Sequence, residues 1–181
     1  MSRIPRFPFL VLILAVIICK TVPAQPSTDS AGRWEPYRFL VGTWVADSAS
    51  DPSTGKGEFS FGLDLNDNIL VRRNHAVIAP NPDKPPATHD DLMIIYQDRS
   101  QTRAGYWDNE GHTISYTASF NDAKDTLSFV SAIVAGAPRF RLQYIKLADG
   151  GLMICFDFAP PGQPERFSPY LHGKAHKKTG N

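Results

Sequence analysis

Beyond Trp34, apolar and polar residues alternate with period two in one segment after another, and no stretch sustains the recurrence of an amphipathic helix. The clearest case is Glu58 to Leu65, where Phe59, Phe61, Leu63 and Leu65 share one face and the residues between them are small or polar. A strand buried on one side produces that pattern, because successive side chains leave a strand on opposite faces. Read the same way, the chain predicts ten strands: 40–47, 57–65, 68–78, 90–97, 103–108, 113–120, 126–134, 139–147, 151–158 and 169–176. Turn-forming clusters separate nearly all of them, among them Asn66-Asp67-Asn68, Asn109-Glu110-Gly111, Asn121-Asp122-Ala123 and Asp149-Gly150-Gly151.

Short connections make successive strands antiparallel neighbours, which predicts an up-and-down meander. A sheet of ten strands exposes two edges unless it closes, so the expected fold is all-β, a single antiparallel barrel of lipocalin-like form. A sandwich of the immunoglobulin type is the competing architecture, but it calls for longer crossovers than this chain has. Strand parity also predicts a polarity. If the first strand runs upward, the upper connections are 48–56, 79–89, 109–112, 135–138 and 159–168, and the tight turns collect below. Long loops at one end and tight turns at the other describe a cup with a mouth.

The first residues change the picture of where this barrel works. Arg3 and Arg6 precede an apolar run from Phe7 to Cys19, followed by Val22-Pro23-Ala24. That order reads as a secretory signal over residues 1–24, cleaved near Ala24, with 25–33 a flexible leader and 34–178 the barrel domain. The run falls short of the ~20 residues that would span a membrane. Ile17-Ile18 before Cys19 disfavours cleavage and lipidation at that cysteine. A periplasmic or secreted location follows. Lys and Arg number 19 against 18 Asp and Glu, and Arg3, Arg6 and Lys20 leave with the signal. The remainder is slightly acidic, which gives no footprint for nucleic acid. Of the two cysteines only Cys155 lies outside the signal, so no intrachain disulfide forms and packing must supply the stability.

Candidate chemistry gathers at the predicted mouth. His75 lies near the upper end of the third strand, His89 at the upper start of the fourth, and Asp108 to His112 at the turn after the fifth, so three histidines with Asp90, Asp91, Asp108 and Glu110 share one rim. Imidazole and carboxylate together can ligate a divalent metal, through His75, His89, Asp90, Asp108 and His112, or orient a ligand; a polar rim is equally what any barrel presents to water. The third strand puts one arginine on each face: either Arg72 with Asn74 or Arg73 with His75 points inward. A buried guanidinium requires an acid such as Asp91 or a ligand anion. The apolar faces around Ile114, Tyr116 and Phe120, Leu127, Phe129 and Ile133, Phe140, Leu142 and Tyr144, and Leu152, Ile154, Phe156 and Phe158 fill the interior or line a pocket. No nucleophile elbow, phosphate loop, Cys-x-x-Cys pair or His-Glu-x-x-His is present.

The opening Phe39-Leu40-Val41-Gly42-Thr43-Trp44 resembles the Gly-x-Trp start of the calycin superfamily, which includes lipocalins, fatty-acid-binding proteins and nitrobindins. That resemblance implies that Trp44 is structural and plugs the closed end. Arg72-Arg73-Asn74-His75, His89-Asp90-Asp91-Leu92-Met93 and Asp108-Asn109-Glu110-Gly111-His112 are similar to segments of a group of exported bacterial proteins that carry no assigned activity. The tail from Pro169 to Lys178 resembles the nitrobindin ending and implies haem ligation at Tyr170, with His172 as the second position; the lysine pair is displaced by one residue.

Together these readings predict an exported cup for a small hydrophobic or amphipathic molecule, with Arg72, Arg73, His75, His89, Asp91, His112, Tyr116 and Tyr144 as candidate ligand contacts. A metal-dependent enzyme at the rim and haem binding at the last strand are the alternatives. No cofactor is specified by the residues themselves.

Overall fold

A computed structural model describes residues 30–47, 56–78 and 87–179. The predicted signal at 1–24 and most of the leader lie outside the described residues. Ten strands follow one another: β1 Gly42–Ala46, β2 Lys56–Asp64, β3 Ile69–Ile78, β4 Ala87–Asp98, β5 Gln101–Asp108, β6 Thr113–Phe120, β7 Thr126–Ser131, β8 Arg139–Lys146, β9 Leu152–Ala159 and β10 Ser168–Lys177. Each pairs antiparallel with the next, and β1 pairs with β10, so the sheet closes into a barrel with no free edge. The closure is held by Val45 opposite His176, by His176 Nδ1 2.5 Å from an Asp47 carboxylate oxygen, and by Lys178 donating to Glu58 at 2.6 Å.

Strand parity places the ends as predicted. Connections 65–68, 99–100, 121–125 and 147–151 lie at one end, called lower here, and 109–112, 132–138 and 160–167 at the other. The lower turns are tight enough to force left-handed backbone on residues with side chains, including Leu65, Asn66, Asp67, Arg99 and Lys124. Leu65, aligned by the sequence with Phe59 and Phe61, is therefore a turn residue exposed to solvent, because β2 ends at Asp64.

The lower end is sealed by a segment that periodicity did not predict. Glu35–Leu40 forms a 3-10 helix with Pro36 in its first turn, and Ser30–Arg33, expected to be leader, forms one helical turn before it. Trp34, Tyr37 and Leu40 are buried against the barrel base. Trp34 donates its indole N–H to the Asp67 carbonyl at 2.7 Å, and Tyr37 shares a 2.8 Å hydrogen bond with Thr102, so the 65–68 turn and the start of β5 are tied to the plug. Rings of Trp34 and Tyr37 meet edge to face at 5.3 Å, and Tyr37 meets Phe120 at 5.1 Å.

Trp44 is buried just above this plug, its N–H donating to the Leu40 carbonyl at 2.7 Å and its ring lying parallel to Phe59. The glycine of Gly-x-Trp has a geometric reason. Gly42 adopts φ +125°, and a Cβ there would meet the Lys177 side chain at 2.7 Å. That lysine in turn places its ammonium 5.6 Å from the Trp44 ring centroid.

Two further boundaries differ from the sequence reading. β7 ends at Ser131, which leaves Ile133 in the following connection at 60% exposure instead of in the barrel interior. β4 begins at Ala87, so His89 is a strand residue with a set direction and not part of a loop.

Candidate functional site

β3 settles which arginine faces inward. β2 commits Phe59 and Phe61 to the core, and the hairpin register sets Phe61 opposite Arg72 and Phe59 opposite Asn74. Arg72 therefore points into the barrel, while Arg73 and His75 point out. On the other side β4 sets Asp91 opposite Asn74 and Met93 opposite Arg72, which brings Asp91 inward on the same level. Arg72 Nη1 donates to an Asp91 oxygen, and this ion pair lies inside the barrel with the Asp91 side chain only 4% exposed.

Beneath the pair lies a layer of rings. Phe59 meets Phe61 at 6.1 Å, Phe61 meets Tyr144 at 5.3 Å, Tyr144 meets Phe129 at 6.3 Å and Phe129 meets Tyr116 at 6.3 Å. The Arg72 guanidinium sits 5.4 Å from the Phe59 centroid. Tyr144 and Tyr116 are both buried and face Arg72 closely enough to interact with it electrostatically, as does Tyr106 from β5. Burial works against the charged guanidinium, yet Tyr144, Asp91, Tyr106 and Tyr116 outweigh it and push its pKa above the ordinary value, so Arg72 is a fixed cation. Burial pushes the Tyr144 phenol up to about 12 and raises Tyr116 and Tyr106 further, so all three remain neutral donors at physiological pH. For Asp91, burial raises the carboxyl more than Arg72, His89 and Asn74 lower it.

His89 connects this floor to the rim. Its Nε2 lies 3.1 Å from the Tyr106 hydroxyl and 3.5 Å from Asp91, and its Nδ1 lies 3.0 Å from Glu110. Asp108 is inward too, opposite Asp91, and is the last residue of β5, where the turn to β6 begins. It accepts the backbone N–H groups of Glu110 and His112 at 3.0 and 2.8 Å and pairs with His112 Nδ1 at 2.8 Å. Burial raises its pKa, but these bonds from His112 and Glu110 prevail and hold it below the usual carboxylate value. Outside the wall, His75 pairs with Asp90 at 2.6 Å and both are exposed.

The candidates therefore divide. Arg72, Asp91, His89, Tyr116 and Tyr144 converge on one inward surface. Arg73, His75 and Asp90 stand on the outer face, and His112 stands at the rim. The three rim histidines each take a separate carboxylate partner, and among the described residues no three His, Cys, Asp or Glu side chains gather as a metal site would need. Tyr170 is the extra residue of a bulge between Pro169 and Leu171, 73% exposed at the mouth, its ring meeting Phe156 edge to face with centroids 5.9 Å apart. His172 lies on the outer face, Nε2 2.8 Å from Asp157, which also accepts Arg141 at 2.9 and 3.0 Å.

Tyr106 was not singled out in the sequence. Tyr106 and Trp107 are adjacent aromatics on opposite faces, and Gly105 tells them apart. A Cβ at Gly105 would lie 2.4 Å from the Trp107 ring, so the indole folds flat over the outer wall and leaves Tyr106 to the interior.

Above the ring layer the walls are apolar and only partly covered: Ile114, Phe140, Ile154 and Phe156, with Phe140 and Phe156 stacked at 5.8 Å. An open depression of about 410 Å³ at β2 and β3 is lined by Phe59 and Asn74 and by Glu58, Ser60 and the outward residues Arg73 and His75. Among the described residues no helix is long and apolar enough to cross a membrane. No protein-family model matches this chain, and no curated protein sequence matches it.

Proposed function

We propose that this protein is a calycin-like, exported binding protein that holds a small, largely apolar molecule in the upper half of its barrel, with a polar group of that molecule directed at Arg72. The observation that carries the reading is the position of Arg72. It is an inward cation above a layer of rings and below a partly open apolar wall, and Asp91 takes one of its five N–H donors. Keeping a guanidinium in a barrel otherwise packed with Phe, Tyr and Leu costs stability relative to a hydrocarbon side chain. A binding role explains why such a group stands inside the barrel. Ile114, Phe140, Ile154 and Phe156 supply an apolar surface of the kind that takes up most of a small ligand's area. The Gly-x-Trp start with its plugged lower end and the apolar run at residues 7–19 support the calycin-like and exported parts of the reading.

The test is binding of 6-propionyl-2-(dimethylamino)naphthalene, a neutral environment-sensitive fluorophore, followed by its emission. A blue shift with saturable micromolar affinity is expected, and Phe156→Arg, which puts a charge into the apolar wall, should abolish it while the barrel stays folded by circular dichroism. An unshifted emission at all protein concentrations would remove the reading.

A further inference from the structure

Two donors on the floor of the upper lumen have no acceptor. Among the described residues, Arg72 Nε and the Tyr144 hydroxyl are buried side-chain atoms without a hydrogen-bond partner, although the two side chains face each other. An unpaired buried donor costs about 1–3 kcal/mol, and an arginine N–H cannot turn round to accept, so one acceptor oxygen placed between the two satisfies both donors. We infer that the ligand's polar group is a neutral carbonyl oxygen, which accepts jointly from Arg72 Nε–H and Tyr144 O–H, and not a carboxylate or other anion.

Charge favours the carbonyl. The guanidinium is already neutralised by Asp91 at hydrogen-bond distance, and Asp108 stands inward beside Asp91 with its side chain equally covered. A carboxylate ligand would bring a further negative charge into a dry pocket and compete with Asp91 for one cation. A ketone, aldehyde, ester or amide oxygen takes the two unused donors and leaves the ion pair intact. Size points the same way. About a tenth of the Arg72 side chain is accessible. The unpaired atoms themselves are covered, so a ligand oxygen reaches them only as Arg72 or Tyr144 shifts, and a single oxygen on an apolar stem asks for a smaller shift than a hydrated two-oxygen head group. Recognition by donors alone also discriminates strongly, because a ligand without the oxygen leaves both donors unpaired.

This inference rests on the binding reading above, and its test separates the two. Binding of 2-dodecanone, dodecanoate and dodecanol is measured at pH 7 by displacement of the naphthyl ketone fluorophore. Binding of 2-dodecanone at least tenfold tighter than dodecanoate is expected. Tyr144→Phe keeps the ring in its layer and removes only the hydroxyl. It should weaken 2-dodecanone at least threefold and return the ¹³C=O stretch of labelled bound ketone toward its value in hydrocarbon solvent. Tighter binding of dodecanoate than of the ketone, or a ketone affinity and stretch unchanged in Tyr144→Phe, would overturn the carbonyl assignment while leaving a binding protein. If neither the fluorophore nor any of the three chains binds, the binding reading itself falls and takes the carbonyl with it.

Discussion

Below the ring layer the barrel is packed with Trp34, Tyr37, Leu40, Trp44, Leu70, Ile95 and Leu127. From the ring layer upward, three phenols, an ion pair and a histidine face a partly covered apolar wall, and Arg72 Nε and the Tyr144 hydroxyl are unpaired. Both halves are built from the same alternating strands. The lower half maximises apolar contact and gains stability from it; the upper half places polar groups where desolvation is costly. What the difference teaches is that one barrel can assign its two ends to different tasks, so damage to each end should have a different signature.

The comparison is broken most directly at Trp44. Trp44→Ala should cost about 3–5 kcal/mol in chemical denaturation, as for a large-to-small core change, because no disulfide supports this core. A loss under about 1 kcal/mol would mean that the lower half is not the stabilising half. Arg72→Met should cost about 3 kcal/mol, since it strands Asp91 in a covered site. The double variant Arg72→Met, Asp91→Leu should recover most of that loss while binding of 2-dodecanone stays weak, which no lower-half pair of changes would do. Tyr37→Phe removes one hydrogen bond to Thr102 and should cost about 1 kcal/mol.

His89→Ala should change stability by less than about 1 kcal/mol and alter ligand binding instead, since His89 is partly exposed and reaches the floor through Tyr106 and Asp91. The smallest effect is one of pH. Asp108 has a folded pKa below its ordinary value, so its bonds to Glu110 and His112 stabilise the fold above that ordinary value and are lost as pH falls through the folded one. Asp108→Asn should therefore be less stable than the parent at pH 7, and the difference should shrink as both are titrated below about pH 4. A difference that stays constant with pH would remove Asp108 from the acid response.

The strands were legible wherever one face is apolar and the other polar, as at Phe59 and Phe61, and the polarity of the ends followed from strand parity alone. The choice between Arg72 and Arg73 was not legible within β3, because Ala76-Val77-Ile78 favours neither face; the pairing of Phe61 with Arg72 decides it. Leu65 and Ile133 were read into strands because an apolar residue keeps the alternation going, whereas turn backbone and the end of β7 exclude them. The plug escaped notice because Glu35–Leu40 is too short to show a helical period. Tyr106 escaped because its orientation depends on the space that Gly105 leaves for Trp107.

The seam between β1 and β10 sets an order of events in time. Asp47 and His176, which meet across it, are separated by 129 residues of chain, so the ring cannot shut until the last strand is present. Contacts this distant are slow to form, and until they do the sheet is an open ribbon with two unpaired edges. The strands that carry Arg72, Asp91, Tyr106, Tyr116 and Tyr144 all precede β10, and in that ribbon their polar groups are still wet. Shutting the seam is thus the moment at which the floor loses its water, and the penalty of drying it falls on the final step of folding.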